Sequence, residues 1–164
     1  MKRLGLVIGT AFGVGMAPIP AMAGAGGLTG SYEGKLACTG LDGGTPHRTR
    51  EHLEGASAVG ISDLGAGRVA IRVPGLPDFE AFVQPVLGIP ASGFSGLGGI
   101  TCSLDADLSG ATLLGTSKEK NGKAAIRALI IRLDEAGGET RTCRLSLKRV
   151  DTADPGVTGD GGCS

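Results

Sequence analysis

His47 and His52 are the only histidines in this 164-residue chain, and they flank Arg48, Thr49, Arg50 and Glu51. Histidine beside a carboxylate is the usual raw material for general acid–base chemistry or for a metal site. Their spacing places the two rings on opposite faces of a strand and aligns them poorly on a helix, so shared ligation needs a special loop. The stretch reads as a solvated polar loop, with no metal expected. Asp105-Ala106-Asp107-Leu108-Ser109-Gly110 reproduces the first half of a calcium loop, with oxygen ligands at alternate positions and then a turn glycine. The bidentate carboxylate is missing: Thr116 stands where it belongs and Glu119 lies too far along. A plain β-turn is the better reading. Gly93-Phe94-Ser95-Gly96-Leu97 approaches the G-x-S-x-G elbow of serine hydrolases but ends in leucine, and no helical pattern follows. The sequence therefore assigns no catalytic residue, no cofactor and no metal.

Those residues sit in a chain with export features. Lys2 and Arg3 precede an apolar run, Leu4 to Val14, and an Ala21-Met22-Ala23 cleavage pattern, so residues 1–23 read as a secretory signal peptide. The run is too short to span a bilayer, so no stable membrane anchor is expected. A secreted or periplasmic location follows. Basic and acidic residues balance at 16 each, and losing Lys2 and Arg3 leaves a slight acidic excess. That balance, with few aromatics and no tryptophan, predicts no nucleic-acid partner.

Cys38, Cys102, Cys143 and Cys163 form an even set in an exported chain, and no pair has C-x-x-C spacing, so two disulfides are expected. The alternating stretch Gly30 to Cys38 aligns antiparallel with Cys143 to Arg149 without slip. Cys38 then meets Cys143, Leu36 meets Leu145, Gly34 meets Leu147 and Tyr32 meets Arg149, all on one face. The other face pairs Ala37 with Arg144, Lys35 with Ser146 and Glu33 with Lys148. From this register we expect Cys38–Cys143 and, by remainder, Cys102–Cys163.

Between these ends, strand patterns alternate with turn chemistry. Strands are expected over Ala56 to Ile61, Arg68 to Val73, Phe79 to Leu87, Ile100 to Leu104, Ala111 to Ser117 and Ala124 to Leu133. Turns fall at Asp63 to Gly67, Asn121-Gly122 and Glu135 to Gly138, and Gly88 to Gly99 reads as a loose loop. The fold class is all-β: an antiparallel up-and-down barrel of about eight strands, closed by its first and last strands, with a β-sandwich as the alternative. Residues 24–150 form this one domain, and 151–164 a Gly/Asp-rich tail, mobile unless Cys163 tethers it.

Gly30-Ser31-Tyr32 resembles the G-x-W signature on the first strand of lipocalins, with tyrosine for tryptophan, and Arg149 resembles their last-strand arginine. The order of Gly-x-aromatic, cysteine, cysteine-led final strand and terminal Lys-Arg also resembles small exported bacterial proteins of unassigned role. The lipocalin resemblance implies that Arg149 packs over Tyr32 and closes one barrel end. The functional expectation is an exported non-enzymatic β-barrel that binds a small apolar ligand or serves as an envelope or secreted accessory. The alternatives are a protein-binding or inhibitor module presenting the Gly88–Gly99 loop, and a hydrolytic enzyme using His47 or His52. An apolar cavity above about 300 Å3 would favour a small ligand. A filled barrel with a protruding loop would favour a protein partner.

Overall fold

The computed structural model describes residues 25–86, 91–99, 109–121, 123–134 and 139–159. Its strands are β1 (Gly30–Asp42), β2 (Thr45–Leu53), β3 (Val59–Gly65), β4 (Arg68–Arg72), β5 (Phe79–Pro85), β6 (Ala91–Gly98), β7 (Ser109–Lys120), β8 (Lys123–Asp134) and β9 (Glu139–Asp151). Short 3-10 turns cover Ala25–Leu28 and Gly55–Ser57. All neighbouring strands run antiparallel, in the order β2-β1-β3-β4-β5-β6-β7-β8-β9, and an added β1–β9 pairing closes the ring. The result is a closed eight-stranded barrel with β2 outside it.

β1 makes this possible because it carries two different neighbours on one edge. Gly30, Ser31 and Tyr32 pair with Ile61, Gly60 and Val59 of β3. From Gly34 onward the same edge pairs with β2, ending at Asp42 opposite Thr45. The other edge follows β9 in the expected register, with Tyr32 opposite Arg149 and Cys38 opposite Cys143. Cys38 and Cys143 form a disulfide, directly cross-strand with a Cα separation of 4.0 Å. Cys102 and Cys163, the second expected bridge, lie outside the described residues, as do the signal segment, most of the Asp105–Gly110 motif and the expected strand at 100–104.

Alternation then separates core from surface. Tyr32, Leu36, Val59, Ile61, Val69, Ile71, Phe79, Ala81, Phe94, Leu113, Ile126, Ile130, Leu145 and Leu147 are all buried on the inner face. Small inner residues make room for large ones. A Cβ at Gly115 would collide with the Phe94 ring and come within 2.9 Å of the Ala128 methyl, so Phe94 lies directly on the glycine backbone. Gly96 likewise admits Ala81. Eight strands enclose only enough width for such side chains or one small ligand.

Four parts of the sequence reading need correction. Residues 45–53 are a strand, not a solvated loop; nine consecutive Cα pairs with β1 hold them in place. Most of the Gly88–Gly99 segment is β6, also a strand: Phe94, Gly96 and Gly98 face inward between β5 and β7, where width is scarce, so glycine there is a packing choice. The early strand is displaced, starting at Val59 after a 3-10 turn. The tail is packed through Gly159 rather than loose. Val157 is buried, and Pro155 and Val157 lie against Gly60. The Ser62 hydroxyl donates to Asp154 and accepts from the Val157 N–H at 2.7 Å. This strap covers the outer face of β3, which explains why Gly60 and Ser62 are buried beside the inward Val59 and Ile61.

At the end of the barrel where β1 begins, the buried Tyr32 hydroxyl donates to the Leu28 carbonyl at 2.7 Å. Arg149 donates to the Gly27 carbonyl at 2.8 Å and meets Glu119 at 3.3 Å. Burial raises the Tyr32 phenol above its ordinary value, and the neighbouring Arg149 works against that rise. Both side chains thus anchor the segment before β1 as a plug. Glu33 stands opposite Lys148 as expected, while its carboxylate accepts the Gly55 N–H at 3.0 Å.

Three outcomes test this architecture. Replacing Cys38 and Cys143 with alanine should cost about 2–5 kcal/mol in denaturant unfolding, the usual loss for a native bridge in a small domain. A thermodynamic cycle of Tyr32→Ala and Arg149→Ala should show coupling of about 0.5–2 kcal/mol, with Arg149→Lys failing to substitute because ammonium lacks the planar fork. Asp154 has a folded pKa below its ordinary 3.8, first through the Ser62 hydroxyl and then through the Gly156 N–H. A depressed carboxyl stabilises the strap fully above its unfolded value and loses that contribution as pH falls through the folded one. Hydrogen exchange of residues 152–159 should therefore stay flat from neutral pH to about 4.5, corrected for intrinsic rates, and rise below that. Asp154→Asn should remove this acid-dependent rise.

Candidate functional site

The two histidines do not converge on one site among the described residues. Both lie on β2, and their odd spacing puts His52 outward opposite Lys35 and His47 on the inner-facing side opposite Gly40. Among the described residues neither ring hydrogen-bonds a carboxylate, and no group of three His, Cys, Asp or Glu side chains converges as metal ligands do. Ser95 is exposed on β6 between Phe82 and Leu114, in a regular ladder with no elbow.

What the fold does assemble is a surface. Strand alternation sends Arg48 and Arg50 of β2, Lys35 of β1, Arg144 and Lys148 of β9, Arg127 of β8 and Lys118 of β7 to the outer face, all exposed. They stand in adjoining cross-strand rows: Arg50–Ala37–Arg144–Leu129 is one, and His52–Lys35–Ser146–Arg127 the next. None of these cations forms an ion pair among the described residues. The ion pairs lie elsewhere, Arg68–Glu80 and Arg72–Asp78 across β4 and β5. A chain of zero formal charge thus gathers seven cations on one face, although Glu33 of β1 also stands on it, opposite Lys148.

A groove of about 700 Å3 opens within that face across β7, β8 and β9. Leu114 and Leu129 form its apolar floor as a direct cross-strand pair, with Arg127, Arg144, Thr116 and Ser146 around them. Leu97 and Ile131 extend the apolar strip one row further. An exposed and a half-buried leucine flanked by guanidinium groups match the apolar centre and Arg-rich composition of protein interfaces. Arginine also packs its stem along leucine while keeping its charge in water. Sequence reading missed this surface because its cations are scattered over five strands and become neighbours only through register. The alternating pattern Arg144-Leu145-Ser146-Leu147-Lys148 was the available signal, since its outer members are polar or cationic throughout.

Changing Leu129 to aspartate should leave the fold intact, since the site is half-exposed, and should shift the melting temperature by no more than about 4 °C. No protein-family model, no curated protein and no solved structure matches this chain.

Proposed function

We propose that this chain is an exported, non-enzymatic β-barrel that binds an acidic protein partner through the outer face of β7–β8–β9 and the adjoining β1–β2 hairpin. The observation that carries this reading is the groove of exposed Leu114 and half-buried Leu129 set among Arg127 and Arg144, which form no ion pair among the described residues, outside a barrel whose described interior is packed with side chains. Export is supported by the Cys38–Cys143 disulfide, which persists in oxidising compartments. An apolar floor favours a polypeptide over a nucleic acid, which would need aromatic platforms for its bases. The partner's matching chemistry is one or two aliphatic or aromatic anchors flanked by Asp or Glu, the anchors giving affinity and the charges speeding association.

Peptide display on the folded chain should enrich acidic sequences with an apolar centre. Leu129→Asp and Arg144→Glu should each weaken a selected peptide at least about tenfold, and added salt should weaken it further. Selection that ignores charge, binding unchanged in both variants, or tighter capture of oligonucleotides than of acidic peptides at physiological salt would overturn the proposal.

A further inference from the structure

Among the described residues β2 pairs with β1 alone, whereas every other strand has a neighbour on both edges. The turn that leads into β2 fixes which backbone groups its open edge presents. Gly43 and Gly44, at φ +53° and +82°, form a two-residue turn between the paired Asp42 and Thr45, the geometry of a type I′ hairpin. Such a turn makes the flanking pair a hydrogen-bonded one, and bonded and non-bonded pairs then alternate along the antiparallel ladder. His47, Thr49, Glu51 and Leu53 therefore direct their backbone groups to β1, while Arg48, Arg50 and His52 aim theirs away from it. The disulfide agrees with this parity. Cys38, opposite Thr49, turns its backbone toward β2, so its pair with Cys143 of β9 is of the non-hydrogen-bonded type. That type brings Cα atoms to about 4.5 Å, and these lie 4.0 Å apart.

Arg48, Arg50 and His52 are also the exposed, outward side chains of the strand. An incoming strand would thus meet open N–H and C=O groups with two guanidinium groups directly beside them. Charge decides what can pair there. Every antiparallel register of β2 on a second β2 that joins three or more of Pro46, Arg48, Arg50 and His52 sets an arginine directly opposite an arginine. Like charges in that position destabilise a sheet, so a second copy of this chain is disfavoured. A segment with Asp or Glu at every second position has the opposite property. Residues directly opposite share a face, so its carboxylates would stand against Arg48 and Arg50. Its intervening residues would lie beside Thr49 and Glu51, which favours polar or basic side chains there. The charges that guard this edge against its own kind therefore select for an acidic strand.

We propose that the open edge of β2 takes up an extended acidic segment of the partner as an added antiparallel strand, bonded at Arg48, Arg50 and His52. This rests on the acidic partner inferred above and specifies how its charged part is held, while the Leu114–Leu129 groove receives its apolar anchor. The groove strand β8 lies three strands from β2, roughly 14 Å at about 4.8 Å per strand, so one partner can engage both. Main-chain bonds give a strand addition its affinity, and alternate side chains give it selectivity. β1 holds β2 from Leu53 to Thr45, and the Cys38–Cys143 bridge ties β1 in turn to β9. Recognition is thereby built on a stapled hairpin rather than on a loop.

The test uses the full disulfide-bonded chain and a synthetic peptide of about nine residues alternating Glu with Thr, a common strand length with no apolar anchor for the groove. NMR should show saturable binding, with slowed hydrogen exchange at the Arg48, Arg50 and His52 amides. Thr49 and Glu51, already bonded to β1, should gain no protection. Arg48→Glu combined with Arg50→Glu should weaken binding at least about tenfold. Arg72→Gln, which removes a cation on β4, should bind the peptide as the parent does. Two N-methylated peptides make the same test without altering the protein. Methyl groups on the Glu amides, which face β2, should abolish binding, and methyl groups on the Thr amides should preserve it. No saturable binding, protection confined to amides outside β2, or equal loss from both methylated peptides would overturn the proposal. Display-selected peptides that lose affinity in Leu129→Asp but not in the Arg48→Glu/Arg50→Glu chain would overturn it too, and leave the groove reading standing. Edge protection by the Glu–Thr peptide, with selected peptides indifferent to Leu129→Asp, would uphold the edge and overturn the groove.

Discussion

The pairing of β1 with β9 is the contact on which the other features depend. It turns an open meander into a ring, so no β3-to-β9 edge is left exposed as a template for another chain. It also sets which residues face inward. A slip of one position would move Leu36, Leu145 and Leu147 to solvent and bring Lys35 and Lys148 inside, an exchange no stable core tolerates. The disulfide lies within this pairing and opposes slip by a covalent bond, in a register that hydrophobic alternation already favours. At the other end Tyr32 and Arg149, opposite one another in the same register, hold the segment preceding β1 against the opening.

A barrel this narrow limits where recognition takes place. The inner face alternates bulky and minimal residues, Phe94 over Gly115 and Ala81 against Gly96, because neighbouring strands leave no width for two large side chains in one row. Its outer face is free of that constraint and can vary in charge without disturbing packing. The strap from Asp154 to Val157 covers one part of that surface, over β3, and leaves β1, β2, β8 and β9 exposed. The division between a covered apolar flank and an uncovered basic one arises from a few tail residues, not from the barrel itself.

Much of this was legible in the residues. The β1–β9 register followed from two alternating runs, because cysteine, leucine and the aromatic–arginine pair all fall on one parity. The hairpin that pairs Lys120 with Lys123, and β8, whose composition also suits a helix, were legible because turn residues on both sides in the sequence leave a strand length between them. Elsewhere the usual signals mislead. Residues 91–98 look like a flexible loop because glycine is read as freedom, yet here it supplies room in a closed ring. Residues 45–53 carry too many charges to suggest a strand, but a strand lying outside the ring needs no apolar face. Charge is also how an unpaired edge avoids joining other sheets.

The basic face was invisible for a more general reason. Sequence counting sums charge along the chain, whereas a sheet sums it across strands at about 4.8 Å spacing. Arg50, Arg144 and Arg127 are far apart in sequence and lie in two adjoining rows. Once the ring closes, these placements follow from parity alone. The same register that protects the core therefore also gathers cations from five strands on its outer face.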